Sequence, residues 1–320
     1  MKKLAIMFIF FASCLQAVEI EYYDERGPLM VPQSTIVEKL ADGFSWIEGP
    51  AWSSKEKFLL FSDIPNNVIF RWKENEGVSV FLENSGLDQG KPYSGKEPGS
   101  NGLAYTQNGE LLICEHGNRQ ISRLNKNGIK TLLADRYQGK RLNSPNDIIE
   151  ASNGDVLFTD PPYGLEGWFD DIQKELPFQG VYLWSQGNLR LLTDAIKAPN
   201  GLGISPDGTR LYVSNSDPDN PVWYALNFDG ISVKNSRVFA DATPWLKGRR
   251  GLPDGFIIHP EGHLFAAGPG GLYVIAPDGI IVAFLDFGHP VSNCTWGDDH
   301  TVLYVTGEHV LYRIKIITKD

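Results

Sequence analysis

The chain reads as an all-β protein, a six-bladed β-propeller, on three observations. Six short signatures recur: I-E-G-P at Glu48, S-N-G-L at Asn101, P-N-D-I at Asn146, P-N-G-L at Asn200, P-D-G-F at Asp254 and S-N-C-T at Asn293. Each is followed by a second apolar run, LLFSD, LLICEH, DVLFTD, RLYVSN, HLFAAG or VLYVTG, and the signatures lie 53, 45, 54, 54 and 39 residues apart. A period of this size is the mark of a repeat architecture. Between the runs stand Asn108-Gly109, Asn127-Gly128, Asn153-Gly154, Asp207-Gly208, Asp229-Gly230 and Asp278-Gly279, dipeptides that supply the positive φ of tight β-hairpins. Three to four antiparallel strands per unit, six times over, describe a closed propeller.

The elements follow in order. Met1–Ala17 reads as a secretory signal: Lys2 and Lys3 make a basic start, Leu4 to Ala12 an apolar core, and small or polar residues follow. Cleavage after Ala17 would release a periplasmic or secreted protein. Phe11-Ala12-Ser13-Cys14 also resembles a degenerate lipobox, which would instead attach the chain to a membrane surface through lipid on Cys14. The apolar run is too short for a permanent span. Residues 18–320 then form one domain, since no linker or shift of composition divides them. The first repeat opens at Glu48, and T-I-V-E-K-L from Thr35 is the expected partner of the final run V-L-Y-R-I-K-I, closing the ring with strands from both ends of the chain. Two polar insertions interrupt the pattern, Glu83–Gly99 and Leu165–Gln179. The second carries Trp168, Phe169 and Phe178 and is either a lid or a long inter-strand loop.

Composition bounds the partners. With 42% hydrophobic and 21% charged residues the chain is an ordinary globular one, and a net charge of −10 without a basic run argues against nucleic acid. Cys114 and Cys294, in apolar contexts, read as small buried hydrophobes and not as nucleophiles or zinc ligands. There is no G-x-S-x-G elbow, dinucleotide fingerprint or P-loop.

In a propeller the innermost strand of each blade runs along the axis, so residues at its start meet at one mouth. Asn-Gly and Asp-Gly could stand there simply as turns tolerant of a left-handed conformation. Glu48 is a poor turn residue, however, Pro145, Pro199 and Pro253 stiffen three approaches, and Asn146 is followed by Asp147 instead of Gly. Glu48 and Asp254 with two or three Asn amides would form a hard, all-oxygen cage. Ca2+ suits it best, with Mg2+, Mn2+ or Zn2+ as alternatives. Return strands should bring Asp63, His116, Asp160 and Ser216-Asp217 to the rim and Asn101 into the channel. His116 could shuttle protons or hold a strand-end turn. Arg249 and Arg250 could hold an anionic or polyhydroxyl ligand or be solvated loop charges.

E-G-P-x-W at Glu48, S-P-N-D at Ser144–Asp147, F-T-D-P-P-Y-G at Phe158–Gly164, P-N-G-L at Pro199, Y-V-S-N-S-D at Tyr212–Asp217 and P-D-G at Pro253 together resemble the gluconolactonase/regucalcin (senescence marker protein) family, from about Glu38 to the end of the chain. C-E-H-G-N-R at Cys114–Arg119 is similar to its bacterial gluconolactonase branch. The resemblance implies a metal held by Glu48, Asn200 and Asp254, with Asn146 as a fourth ligand or a substrate contact beside Asn101 and His116. It also implies Asp254 as general base. Whether Asp254 deprotonates water or serves mainly as a ligand stays open, because a cation lowers the basicity of a bound carboxylate. The expected activity is metal-dependent hydrolysis of a sugar lactone such as glucono-1,5-lactone. The alternatives are a related esterase or organophosphatase, or a non-catalytic propeller with a structural Ca2+ ion.

Overall fold

The computed structural model describes residues 14–316. The basic start and the apolar core read as a secretory signal lie outside the described residues, as does the Cys14 side chain. Six antiparallel sheets carry the architecture, and the hairpin dipeptides do what their chemistry suggests: Gly109 and Gly208, for example, take φ of 74° and 73°. Blade 1 is built from Ile47–Ser53, Phe58–Asp63, Val68–Lys73 and Gly77–Glu83. Blade 2 runs from Ser100–Tyr105 to Lys130–Ala134, blade 3 from Ile148–Glu150 to Asn188–Thr193, and blade 4 from Pro199–Ile204 to Val233–Asp241. Blade 5, Phe256–Ile258 to Ile281–Asp286, gains Glu19–Tyr22 as a fifth strand. Blade 6 consists of Asn293–Trp296, Val302–Gly307 and Val310–Lys315, and is completed by Ile36–Asp42 antiparallel to its third strand, with Cys14–Leu15 beyond that. The closure expected from T-I-V-E-K-L is therefore present. The fifth strand of blade 5 and the pairing of Cys14–Leu15 had no signal in the sequence.

The second strand of each blade is apolar on both faces because both faces are buried. Leu59 and Phe61 pack toward blade 6 while Leu60, between them, packs toward blade 2. The same alternation recurs around the ring, so among the described residues each of six core clusters fills one blade junction. Cys114 lies in the junction of blades 2 and 3 and Cys294 in that of blades 5 and 6. Burial pushes both thiols up, as expected for inert hydrophobes. Among the described residues no helix is long and apolar enough to cross a membrane.

Candidate active site at the propeller axis

The six signature residues open their inner strands side by side, and the glycines after them explain how they fit. A Cβ on Gly102 would lie 2.5 Å from the Asn146 carbonyl oxygen, one on Gly201 2.6 Å from that of Asp254, and one on Gly255 2.0 Å from Asn293 Cγ. None of these three glycines has positive φ. The turn explanation of Asn-Gly and Asp-Gly at these positions is thus replaced by close approach: each glycine makes room for the head of the next blade. Gly49, at φ 54°, meets both demands, its Cβ position being 2.1 Å from the Asn101 carbonyl oxygen. Hydroxyls of the neighbouring strands lock the ring. Ser62 donates to the Asn101 carbonyl, Thr159 to that of Asn200, Ser216 to that of Pro253 and Ser292 to that of Ile47, at 2.6–2.8 Å.

Carboxylates converge inside this ring. Glu48 is buried and its Oε2 accepts from the Gly49 N–H (2.7 Å) and from Asn293 Nδ2 (3.2 Å). Asp147 accepts from the Ile148 and Leu202 N–H groups, bridging blades 3 and 4 where four of the other five heads have glycine. Asp254 Oδ1 accepts from the Gly255 N–H at 3.1 Å. Burial first, then repulsion from Asp254 and Asp147, raises the Glu48 pKa well above its ordinary value. Burial raises Asp147 to about 7, and burial with repulsion from Asp147 raises Asp254 to about 8. Asp254 is partly open to the mouth, so solvent tempers its shift, whereas Glu48 and Asp147 are enclosed. The charged groups acting most strongly on Glu48 and Asp254 are other carboxylates, an imbalance that a divalent cation would relieve. Among the described residues no three Asp, Glu, His or Cys groups could hold a metal by themselves, so a cation here would also draw on the Asn200 and Asn146 amides.

A model of the SMP-30/gluconolactonase/LRE-like region matches residues 46–309, from the first inner strand into blade 6. The chain belongs to this family. It is 37% identical to a gluconolactonase from Zymomonas mobilis over 308 residues, covering 94% of this chain and 86% of the relative. Among solved structures, a gluconolactonase from Xanthomonas campestris superposes with a TM-score of 0.84 at 29% identity, covering 96% of this chain and 98% of the other. Regucalcin from Agrobacterium tumefaciens, a calcium-binding protein, shares the fold with a TM-score of 0.68 at 19% identity, covering 87% and 92%.

In this SMP-30/gluconolactonase-type propeller, the candidates read from return strands are placed differently from expectation. Asp63 and Asp160 are buried and cap the chain entering the inner strands: Asp63 accepts from the Ser45 and Trp46 N–H groups, Asp160 from that of Asn143. Asp217 is held by Lys197 at 2.9 Å. His116 is not on an open rim. It is fully buried, with Nε2 3.3 Å from Asn101 Nδ2, and burial drives its pKa down to about 3. Burial thus favours the neutral imidazole, which can still hydrogen-bond. Arg249 lies over Phe284 and pairs with Glu21 and Asp286, and Arg250 pairs with Glu308, so both read as structural. Asn101, Asn146 and Asn200 are buried heads, and Asn200 Nδ2 donates to Ser216 Oγ at 3.1 Å.

Two residues of the mouth were not anticipated. Glu97, in the first insertion, places Oε2 3.6 Å from His116 Nδ1. Tyr163, in P-P-Y-G, carries a buried hydroxyl. The latter lay inside a quoted motif. Glu97 had no signal, being one charge among several in a polar insertion. Away from the mouth, a channel of about 640 Å³ continues along the inner strands past Leu103, Ile148, Leu202 and Ile257.

Proposed function

We propose that the protein hydrolyses a sugar lactone, glucono-1,5-lactone being the type case, to the open-chain aldonic acid with help from a divalent cation. The observation carrying this reading is the convergence of Glu48, Asp147 and Asp254 with amide oxygens on one axis, where the charged groups acting most strongly on Glu48 and Asp254 are other carboxylates. The gluconolactonase relatives supply the reaction class. Glu48, Asn200 and Asp254, with Asn146, would hold the ion, and their hard oxygens favour Ca2+. When bound, such an ion polarises the lactone carbonyl and balances the charge of the tetrahedral oxyanion.

The remaining work belongs to the chain. Asp254, held by the Gly255 N–H on Oδ1, takes the proton from the attacking water. The water oxygen bonds to the carbonyl carbon. The ring C–O bond then breaks, and Asp254 returns its proton to the ring oxygen, which becomes a hydroxyl. Beside a divalent ion Asp254 titrates below its cation-free value, so it is ionised and able to act as base at neutral pH. Asn101 and neutral His116 orient the substrate.

The test is hydrolysis of glucono-1,5-lactone after chelation and again with each divalent metal added back. Asp254→Asn is expected to lower kcat about a thousandfold, within the range for loss of a general base. Full activity in metal-free protein would sink the mechanism. Metal-dependent melting without hydrolysis under any metal would point to a non-catalytic propeller.

A further inference from the structure

The mouth of the site contains polar atoms that take no part in moving the proton. Tyr163 Oη and His116 Nδ1 are both enclosed and have no well-aligned hydrogen-bond partner among the described residues, although the Ser216 hydroxyl lies near the first and the Glu97 backbone near the second. Buried donors and acceptors are nearly always satisfied, and an unsatisfied one beside an active site marks the place of a ligand group or a bound water. Glu97 reaches the same region, its Oε2 3.6 Å from His116 Nδ1. Burial is the main influence on the Tyr163 hydroxyl, followed by the Ser216 hydroxyl and the Asp254, Glu97 and Asp217 carboxylates, so both the axial carboxylate and the insertion act on it.

These groups are held in place. Ser144 Oγ donates to the Pro161 carbonyl (2.7 Å) and accepts from the Gly164 N–H (2.8 Å), clamping the P-P-Y-G turn at both ends. A Cβ on Gly164 would meet His116 Cβ at 2.7 Å, so that glycine lets the Tyr163 turn press against the histidine. Tyr93 Oη donates to the Gly164 carbonyl at 2.6 Å and ties the Glu97 insertion to the same turn. The Tyr163 ring is flanked by Trp168 and Phe169 at 6.0 and 6.4 Å between centroids.

We propose that Glu97 and Tyr163, with His116 between them, form a subsite for the hydroxyl groups of the substrate and select polyhydroxylated lactones over lactones without hydroxyls. The assignment rests on the lactonase reading above and deepens it. A ring hydroxyl can donate to the Glu97 carboxylate and accept from Tyr163 Oη–H. A bare lactone leaves those atoms unpaired, which is how a hydrogen-bonding site rejects an analogue lacking the group.

The experiment compares kcat/KM for glucono-1,5-lactone and δ-valerolactone in the full chain and in Tyr163→Phe and Glu97→Gln. Both changes keep side-chain shape, and melting curves verify the fold. The ratio of the two values is expected to fall at least about tenfold in each variant. An unaltered ratio overturns the proposal, including when both rates drop together. If the wild type hydrolyses neither compound, the lactonase reading fails and calorimetry with the non-hydrolysable glucono-1,5-lactam decides the subsite. Binding weakened about tenfold in the variants supports it, and no binding to the wild type overturns it. Should Glu97→Gln not fold, Tyr163→Phe decides.

Discussion

Glu48 is a carboxylate in a place where carboxylates are expensive. Enclosed beside Asp147 and Asp254, it is held against desolvation and repulsion by one backbone N–H and one amide. Removing its charge should therefore help the fold while harming the site. Glu48→Gln is expected to melt above the wild type in chelator by about 2 °C, corresponding to roughly 1 kcal/mol. With Ca2+ at a hundredfold excess over Kd the wild type alone should gain about 2.7 kcal/mol, reversing the order. Calorimetric melts with and without the ion check both halves. His116 gives a second prediction at this scale. Its folded pKa is depressed to about 3 from 6.5, so in that window the unfolded chain holds the extra proton. Its contribution to stability is complete above about 6.5 and lost as pH falls toward 3, with a slope of about 1.4 kcal/mol per pH unit for one proton. Melting temperatures of His116→Gln should accordingly fall less steeply than those of the wild type between pH 6.5 and 4. Glu48 and Asp254 were legible in the sequence because a carboxylate breaks the Asn-Gly pattern. Glu97 was not, because its role depends on where an irregular insertion folds back.

Head glycines and hairpin glycines look identical in sequence, since both follow Asn or Asp, yet they answer different physical demands. Those in hairpins supply positive φ, while Gly102, Gly201 and Gly255 supply space to an adjacent blade. No pattern within one repeat separates the two, because the neighbour that needs the space is some 40–50 residues away. Gly201→Ala sets a methyl against the Asp254 carbonyl and the Gly255 Cα, backbone atoms that cannot swing aside. It is expected to cost about 1–3 kcal/mol and to displace Asp254, lowering kcat at least tenfold. Denaturant melts and kinetics on the same sample test the pairing. The aromatic insertion is a loop fixed at its base. Arg119 donates to the Gln173 carbonyl and Asn143 to that of Phe178, while Trp168 near its start is 55% exposed and Ile172 is 99% exposed. The exposed part of the insertion is thus the stretch from Trp168 to Ile172, in which the Trp168 and Phe169 rings still pack against Tyr163.

The molecule as a whole depends on one seam. Arg313 in the third strand of blade 6 donates to Glu38 at 2.6 Å, contacts Glu74 and lies over the Trp72 ring, and Lys315 reaches the other Glu38 oxygen. Glu38→Ala would leave a largely buried guanidinium short of its partner, a loss of about 3 kcal/mol. The loss should appear mainly as faster unfolding, because a contact between residues 275 apart in sequence carries a large loop-closure cost and is expected after the transition state. Stopped-flow unfolding in guanidinium gives the measurement. The closure was legible because two β-branched runs lay unclaimed at opposite ends of the chain. The pairing of Glu19–Tyr22 with blade 5 was not, since nothing in those residues names a partner. The seam also sets when the site can exist. Asn293 and Ser292 of blade 6 hold Glu48 and the Ile47 carbonyl across the blade 6–blade 1 junction, and blade 6 takes its outer strands from residues before blade 1. On a ribosome emerging from the first residue to the last, every oxygen of the axial ring would be synthesised before the strand that draws the ring shut. A nascent chain would then carry all of its proposed ligands and still have no binding site until its final strand emerged.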